Sequence, residues 1–216
     1  MANVPRPTPI FRFTHIDNLP AVLTRRGMYA PNSIPDDGLL YRPTHSPEVH
    51  GKRAAISIPC GPRGSAHDYV PFYFGYLSPM MLNLKTGRVA GYDEGQEPLI
   101  YLVSTAQAVH DSGAGFAFSD GHGLASYTDW FDDLGDLHNV DWGLVYQRYW
   151  ASHADDMDRQ RRKQAEFLVH QFCLWSLIQE VAVINPQMQR RAMEIMAEFP
   201  ASRHRPVQVR PDWYYH

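Results

Sequence analysis

His67-Asp68-Tyr69-Val70-Pro71-Phe72-Tyr73-Phe74 is the densest aromatic stretch of the 216-residue chain. Read with the period of two that a strand imposes, Tyr69, Pro71 and Tyr73 share one face, and Val70, Phe72 and Phe74 share the other. The second face is wholly apolar and suits a core. The first offers two phenols and a flat ring surface fit to stack a heterocycle, although stripes of this kind also simply build core. Pro71 has no N–H for a ladder, which places the strand at a sheet edge or beside a site.

A second run, Lys163-Gln164-Ala165-Glu166-Phe167-Leu168-Val169, sets one carboxylate at the head of an apolar strand. A charged side chain is rarely taken towards a core unless something pairs with it or its chemistry is needed. The plain alternative is a Glu166 that points outward from a half-buried strand. Gln164, two residues earlier, falls on the same strand face as Glu166.

Around these runs the elements mingle without a βαβ rhythm, so the fold class is α+β. Phe11 to Thr14 alternates like a strand, and Asp17 is read as the N-cap of a helix whose buried face is Leu19, Val22 and Leu23. Gly27 stands where a terminating glycine belongs. Residues 31 to 67 carry six prolines and read as one long irregular segment, a lid over an anionic ligand or a solvated linker. Leu99 to Val103 and Phe116 to Phe118 are further strands, followed by a tight glycine-rich loop that presents His122. Trp142 to Trp150 is read as helical. Val181 to Ile184 and Val207 to Val209 are late strands, and Asn185-Pro186 opens the last helix.

Composition narrows the function classes. A 44% hydrophobic and 12% aromatic chain is no disordered segment. No apolar run approaches the roughly 18 residues needed to span a membrane. The amino terminus lacks a secretion-signal core, so the expectation is a cytoplasmic protein of one domain over residues 1–216. Cys60 and Cys173 make neither a disulfide framework nor a zinc pattern, and no metal is expected. A net charge of -3 excludes a generic phosphate-coated nucleic-acid binder but leaves room for a narrow basic groove. There is no phosphate loop, no dinucleotide fingerprint, no HExxH helix and no GxSxG elbow. A metal-dependent nuclease built on Asp68, Asp120 and Glu166 has no ligand spacing to support it.

Phe13-Thr14-His15-Ile16-Asp17-Asn18-Leu19, Gly51-Lys52-Arg53, the run from His67 to Phe74, Ser78-Pro79-Met80, Ser119-Asp120-Gly121-His122 and Gln164-Ala165-Glu166 follow one another in a set order. That ordered set resembles DarT, the DNA ADP-ribosyltransferase toxins of DarTG toxin–antitoxin systems, over residues 11 to 215. The resemblance implies an ADP-ribosyltransferase fold: a split central β-sheet, an NAD cleft and surrounding helices. It implies transfer of ADP-ribose from NAD, consumed as co-substrate, to a thymidine base of single-stranded DNA, with nicotinamide released. ADP-ribosylation of guanine in DNA is the alternative within the family, and a non-enzymatic single-strand-binding module is the alternative outside it. It further implies a macrodomain antitoxin as partner to a monomeric toxin that stays off membranes.

Matched block by block, Glu166 and Arg53 are the expected catalytic residues. Thr14, His15, Asn18, Arg53, Tyr69 and Tyr73 are expected to bind NAD, and Met80, His122 and Gln164 to line the base pocket. Tyr41, His45 and His50 are further lid candidates for NAD. Breaking the nicotinamide–ribose bond builds positive charge on the ribose, as in glycoside cleavage, and a fixed carboxylate opposes that charge. Arg161, Arg162, Lys163, Arg203 and Arg205 are expected to track the DNA backbone or to form a solvated basic face.

Overall fold

The computed structural model describes residues 3–45 and 47–216. The chain opens with strand β1 (Pro9–His15), a 3-10 turn and helix α1 (Leu19–Arg25), then strand β2 (Gly27–Tyr29). The lid segment contains helix α2 (Pro47–Ala54) and a small hairpin of β3 (Ser57–Ile58) and β4 (Gly64–Ser65), so it is less irregular than its prolines predicted. The aromatic run forms β5 (Tyr69–Tyr73), followed by α3 (Pro79–Lys85), β6 (Leu99–Thr105) and α4 (Ala106–Asp111). Then come β7 (Phe116–Ser119), β8 (Trp130–Phe131), the single-turn α5 (Arg159–Arg162), β9 (Glu166–His170) and β10 (Phe172–Leu174). The chain closes on β11 (Glu180–Val183), α6 (Pro186–Ala197) and β12 (Val207–Val209).

Eight strands form one sheet in the order β12-β11-β6-β1-β5-β9-β7-β8. Among the described residues only β11 and β12 run parallel, and α6 makes their crossover. The sheet is split near its middle. β1 pairs with β6 over seven residues, and β5 with β9 over five, but β1 and β5 meet at a single pair, Phe11↔Tyr73. Pro71 is the reason. In an extended strand the N and C=O of one residue face the same edge. The Pro71 carbonyl accepts from Arg12 Nη1 of β1 at 2.9 Å, so its missing N–H also faces β1. The proline therefore lies beside a cleft in mid-sheet, not at an outer edge.

One face of the sheet holds the main core. Val70 and Phe72 of β5, and Phe74 just after it, pack there with Phe167 and Val169 of β9, Phe116 and Phe118 of β7, and the buried faces of α1 and α6. Phe74 makes edge contacts with Phe118, Trp142 and Phe167. Leu19, Val22 and Leu23 are buried as the helical period predicts, and Asn185 caps α6 by accepting from Met188 N at 2.9 Å.

Three local expectations are corrected. Asp17 caps nothing: the first turn is capped by His15, whose Nδ1 accepts from Asp17 N at 3.1 Å. The Asp17 carboxylate instead pairs with Arg42 and Arg191. The left-handed residue that ends α1 is Arg26 (φ 57), not Gly27. Gly27 is needed one step later, because a Cβ there would stand 2.3 Å from the Cys173 carbonyl across the β2–β10 pair. Residues 142 to 150 form turns and coil, not a helix. The carbonyl of Val145, which a helix would use internally, and that of Gln147 accept from the buried Lys163 ammonium.

Candidate active site

The split opens a cavity of about 460 Å³ floored by β1 and β5, walled by β9 and covered by the lid. β1 contributes Arg12, Phe13 and Thr14, and β5 contributes Tyr69, Pro71 and Tyr73, the alternate face predicted from period two. Glu166 enters from the first residue of β9, directly opposite Tyr73 in the ladder.

Glu166 is 2% exposed, so the outward-facing alternative is excluded. Its two carboxylate oxygens accept from the same nitrogen, Arg53 Nη1, at 2.8 and 3.1 Å. Arg53 arrives on the last turn of α2, which is how the lid reaches the centre. The backbone N–H of Glu166 donates to Ser119 Oγ at 3.2 Å, tying the acid to the loop that carries His122. Burial and then the Glu166 charge push the Tyr73 phenol up, so it stays protonated, and its ring stacks on Phe13 at 6.2 Å and 11°. The Tyr69 phenol, also raised to about 12 by burial, is committed to the Arg63 carbonyl at 2.8 Å.

Met80, His122 and Gln164 line the same cavity beside Glu166. His122 Nδ1 accepts from Leu124 N at 3.2 Å, which fixes the ring as a neutral tautomer with its proton on Nε2. Burial lowers the His122 pKa, in keeping with a neutral ring. Gln164 Nε2 donates to the Gln160 carbonyl at 2.9 Å, leaving its amide oxygen for another partner.

At the other end, Asn18 mounts the lid. Its Oδ1 accepts from Arg42 N at 2.6 Å, and its Nδ2 donates to Arg42 O and Thr14 Oγ1, both at 2.9 Å. Arg42 then bridges Asp17 and Glu94. His15 is the one expected site residue outside the cavity lining. Its buried Nε2 has no hydrogen-bond partner among the described residues and stands 3.6 Å from the Glu94 carboxylate. The lid candidates Tyr41, His45 and His50 all line the cavity, and the rings of His45, His50 and His67 form a column with centroids 4.6 and 4.2 Å apart.

Arg12 was missed from sequence, where it is one polar residue in an alternating strand. Its guanidinium lines the cavity with one bond, to Pro71 O, and no carboxylate within ion-pair reach among the described residues. Burial lowers its pKa, the signature of a cation short of an anion. The aromatic-basic alternation of Phe11-Arg12-Phe13 beside Pro71 was the available signal.

The basic residues read as a DNA track are committed elsewhere. Arg161 pairs with Asp120 and Asp158, and Arg162 with Asp141 and Asp156. Arg203 and Arg205 donate to the carbonyls of Leu23 and Ile178. Lys163 is buried. Asp120, Asp141, Asp156 and Asp158 thus neutralise the two arginines of this cluster. Asp68 completes a capping box at Ser65, so Asp68, Asp120 and Glu166 do not converge. Among the described residues no group of three or more His, Cys, Asp or Glu is arranged to hold a metal ion, and no helix is long and apolar enough to cross a membrane.

A family model for the single-stranded DNA thymidine ADP-ribosyltransferase DarT matches residues 11–215. The chain belongs to the DarT family. A DNA ADP-ribosyl transferase of Thermus sp. (strain 2.9) is 40% identical over 211 residues, which cover 98% of each chain. The Thermus sp. 2.9 DarT solved with ADP-ribosylated single-stranded DNA superposes with a TM-score of 0.92 at 38% identity, over 99% of both chains. The same Thermus protein solved with NAD+ gives a TM-score of 0.87 at 38% identity, over 99% of this chain and 100% of that one. The split sheet is thus the ADP-ribosyltransferase fold of DarT, and the chain is an NAD-consuming enzyme that ADP-ribosylates thymidine in single-stranded DNA. The guanine alternative and the non-enzymatic module both give way to the thymidine-specific family match over the whole chain.

Proposed function

We propose that Glu166 and Arg53 form the transfer centre of this DarT enzyme, with NAD along the β1–β5 cleft and the target thymine against Met80, His122 and Gln164. The observation that carries this reading is the buried Glu166 carboxylate, held by Arg53 at the one place where the central sheet is open.

Glu166 accepts a ribose hydroxyl and opposes the positive charge that grows at the anomeric carbon as the bond to nicotinamide breaks. The bonding electrons leave with nicotinamide. A ring nitrogen of thymine then attacks the same carbon, and its N–H proton is released to solvent, so that NAD and thymine give the N-ribosyl product, nicotinamide and one proton. His122 is not the group that takes this proton: its Nδ1 is occupied, and its Nε2–H is a donor, suited to a thymine carbonyl. Tyr73 offers its ring to nicotinamide, whereas Tyr69 shapes the floor. Thr14 and Asn18 hold the adenosine side through the lid mount, and His15 acts there from behind the cavity wall. Arg12 supplies the positive charge for the NAD diphosphate. A macrodomain antitoxin that removes the modification, and a monomeric toxin, complete the reading on family grounds.

The test is oligonucleotide mass after incubation with NAD. A single strand containing thymidine should gain ADP-ribose, and one with guanine as its only other reactive base should not. The reverse pattern would overturn the base assignment. Duplex DNA should react far more slowly, since extruding a paired base costs a few kcal/mol; equal rates on duplex and single strand would contradict the enclosed pocket. Replacing Arg12 with Met should weaken NAD binding by roughly ten- to a hundredfold, the ~1.5–3 kcal/mol of one charge-assisted bond. Calorimetric titration checks this, and unchanged affinity would remove Arg12 from the diphosphate site.

The histidine column adds a pH dependence. His67 is buried, and its pKa is lowered first by burial and then by His50, with Arg53 adding to the shift and Asp68 opposing it. A histidine whose folded pKa is depressed is neutral in the closed form. Below the ordinary histidine value of 6.5, an open lid takes up protons that the closed one refuses. NAD affinity should therefore fall as pH drops from about 7.5 to about 5. Affinity that is flat over that range would show that the column does not report on closure.

A further inference from the structure

Lys163 takes no part in the chemistry above, yet it is only 2% exposed. Its Nζ donates to three backbone carbonyls, of Val145 at 2.6 Å, Gln147 at 2.8 Å and Tyr76 at 3.1 Å. An ammonium has three hydrogens, and each finds an acceptor. Burial pushes the group down to about 7, while the three carbonyl oxygens favour the protonated form. A buried cation is costly unless its bonds are complete, and here they are.

The three carbonyls come from segments that no sheet ladder joins. Val145 and Gln147 lie on the coil before α5, Tyr76 lies on the loop between β5 and α3, and Lys163 stands three residues before Glu166. The β5–α3 loop presses on the coil so closely that a Cβ at Gly75 would stand 2.0 Å from the Val145 carbonyl.

The same loop leads to Met80 through a strained residue. Leu77 adopts φ 57 while almost fully buried, a left-handed conformation uncommon for a residue with a Cβ. Such a conformation persists only where its surroundings over-determine it. On one side Lys163 holds the Tyr76 carbonyl. On the other, the Tyr215 hydroxyl donates to the Leu77 carbonyl and Trp150 Nε1 donates to the Tyr215 oxygen at 2.7 Å. Tyr215 is itself fixed by Gln96, which accepts from its N–H at 3.0 Å and donates to its carbonyl. Ser78 Oγ then accepts from Met81 N at 3.2 Å, capping α3 and setting where Met80 points.

We propose that Lys163 and Tyr215 are positioning residues that clamp the Tyr76–Met80 segment against the Gln164–Glu166 segment leading into β9 and so set the distance between the base pocket and the ribose-facing carboxylate. Neither side chain touches substrate. The proposal rests on the base-pocket reading above, and it predicts a division between the two substrates. NAD binds to β1, β5 and the lid, outside the clamp, whereas thymine must fit between the two clamped walls.

The test uses Lys163→Met and Tyr215→Phe in the full chain. NAD affinity is read by calorimetry, and KM and kcat are read on a single-thymidine oligonucleotide. Both variants should raise the oligonucleotide KM by about tenfold or more, since small displacements of a pocket wall are costly, with NAD affinity held within about twofold. Should Lys163→Met fail to fold, Tyr215→Phe carries the test alone, because it removes one oxygen and keeps the ring. An oligonucleotide KM equal to wild type in Tyr215→Phe would overturn the clamp. So would equal losses for NAD and DNA, which mark general loosening. A wild type that leaves the oligonucleotide unmodified overturns the functional reading itself, whereas the clamp fails only when an active wild type and its variants behave alike.

Discussion

Glu166→Gln is expected to lower the single-turnover rate of ADP-ribose transfer by roughly a hundred- to a thousandfold, or ~3–4 kcal/mol of barrier, the usual cost of one preorganised electrostatic group. Glutamine keeps the shape of the side chain and one acceptor oxygen, so the ribose can still be held. What it loses is the full negative charge that opposes the oxocarbenium-like state. NAD affinity should accordingly change little, and the loss should fall on kcat. Quench-flow measurement of nicotinamide release beside calorimetric NAD binding separates the two. A variant within about tenfold of wild type in rate would mean that charge at this position is not the source of stabilisation.

Arg53→Ala should damage the resting structure as well as the chemistry. It leaves the Glu166 carboxylate buried without its cation, and breaking one side of a buried pair typically costs about 3–5 kcal/mol. Arg53 is itself 17% exposed, and water can enter where it stood, so ~2–3 kcal/mol is the expected range here. The pair makes a sharper prediction than either residue alone. Arg53→Ala combined with Glu166→Gln should be more stable than Arg53→Ala, because the second change removes the stranded charge. Urea denaturation of the four proteins in this cycle reads the coupling directly. Strictly additive losses would show that the two groups do not share an ion pair in solution. Transfer should also fall in Arg53→Ala, since the lid loses its contact with the centre.

Much of this architecture was legible in residue patterns whose period is short. The alternation in Tyr69–Phe74 gave both faces of β5 correctly, because a strand buried on one side and open to a cleft on the other must alternate. Pro71 announced the break in the ladder, although only the single Phe11↔Tyr73 pair places that break in mid-sheet. The site residues other than His15 converge on one cavity because they sit on or just beyond strand ends, on the lid, or, for Met80, at the start of α3.

What escaped the sequence depends on long-range partners. Trp142 to Trp150 has helical spacing, yet two of its carbonyls are taken by Lys163, a partner 18 and 16 residues away that no local pattern reveals. Arg161 and Arg162 looked available for phosphate because two of their acidic partners, Asp120 and Asp141, lie far away in sequence, although Asp156 and Asp158 are local. Asn18 was expected to contact NAD; its polar atoms are engaged by Arg42 and Thr14, so its place in the cavity lining comes with a lid mount that no local pattern reveals. Arg12 was passed over for the opposite reason: the alternation Phe11-Arg12-Phe13 is a weak local signal, and what marks the residue is its lack of an anionic partner, among the described residues, inside a cavity.

The central claim is that the cleft joins the anomeric carbon of NAD to a ring nitrogen of an unpaired thymine. The most direct measurement pairs two single-stranded oligonucleotides, identical except that one carries N3-methylthymidine at its only thymidine, and follows their mass with NAD and enzyme. The thymidine strand should gain one ADP-ribose, and the methylated strand should gain none, because the attacking nitrogen is blocked. Equal modification of both strands, or of neither, would contradict the account.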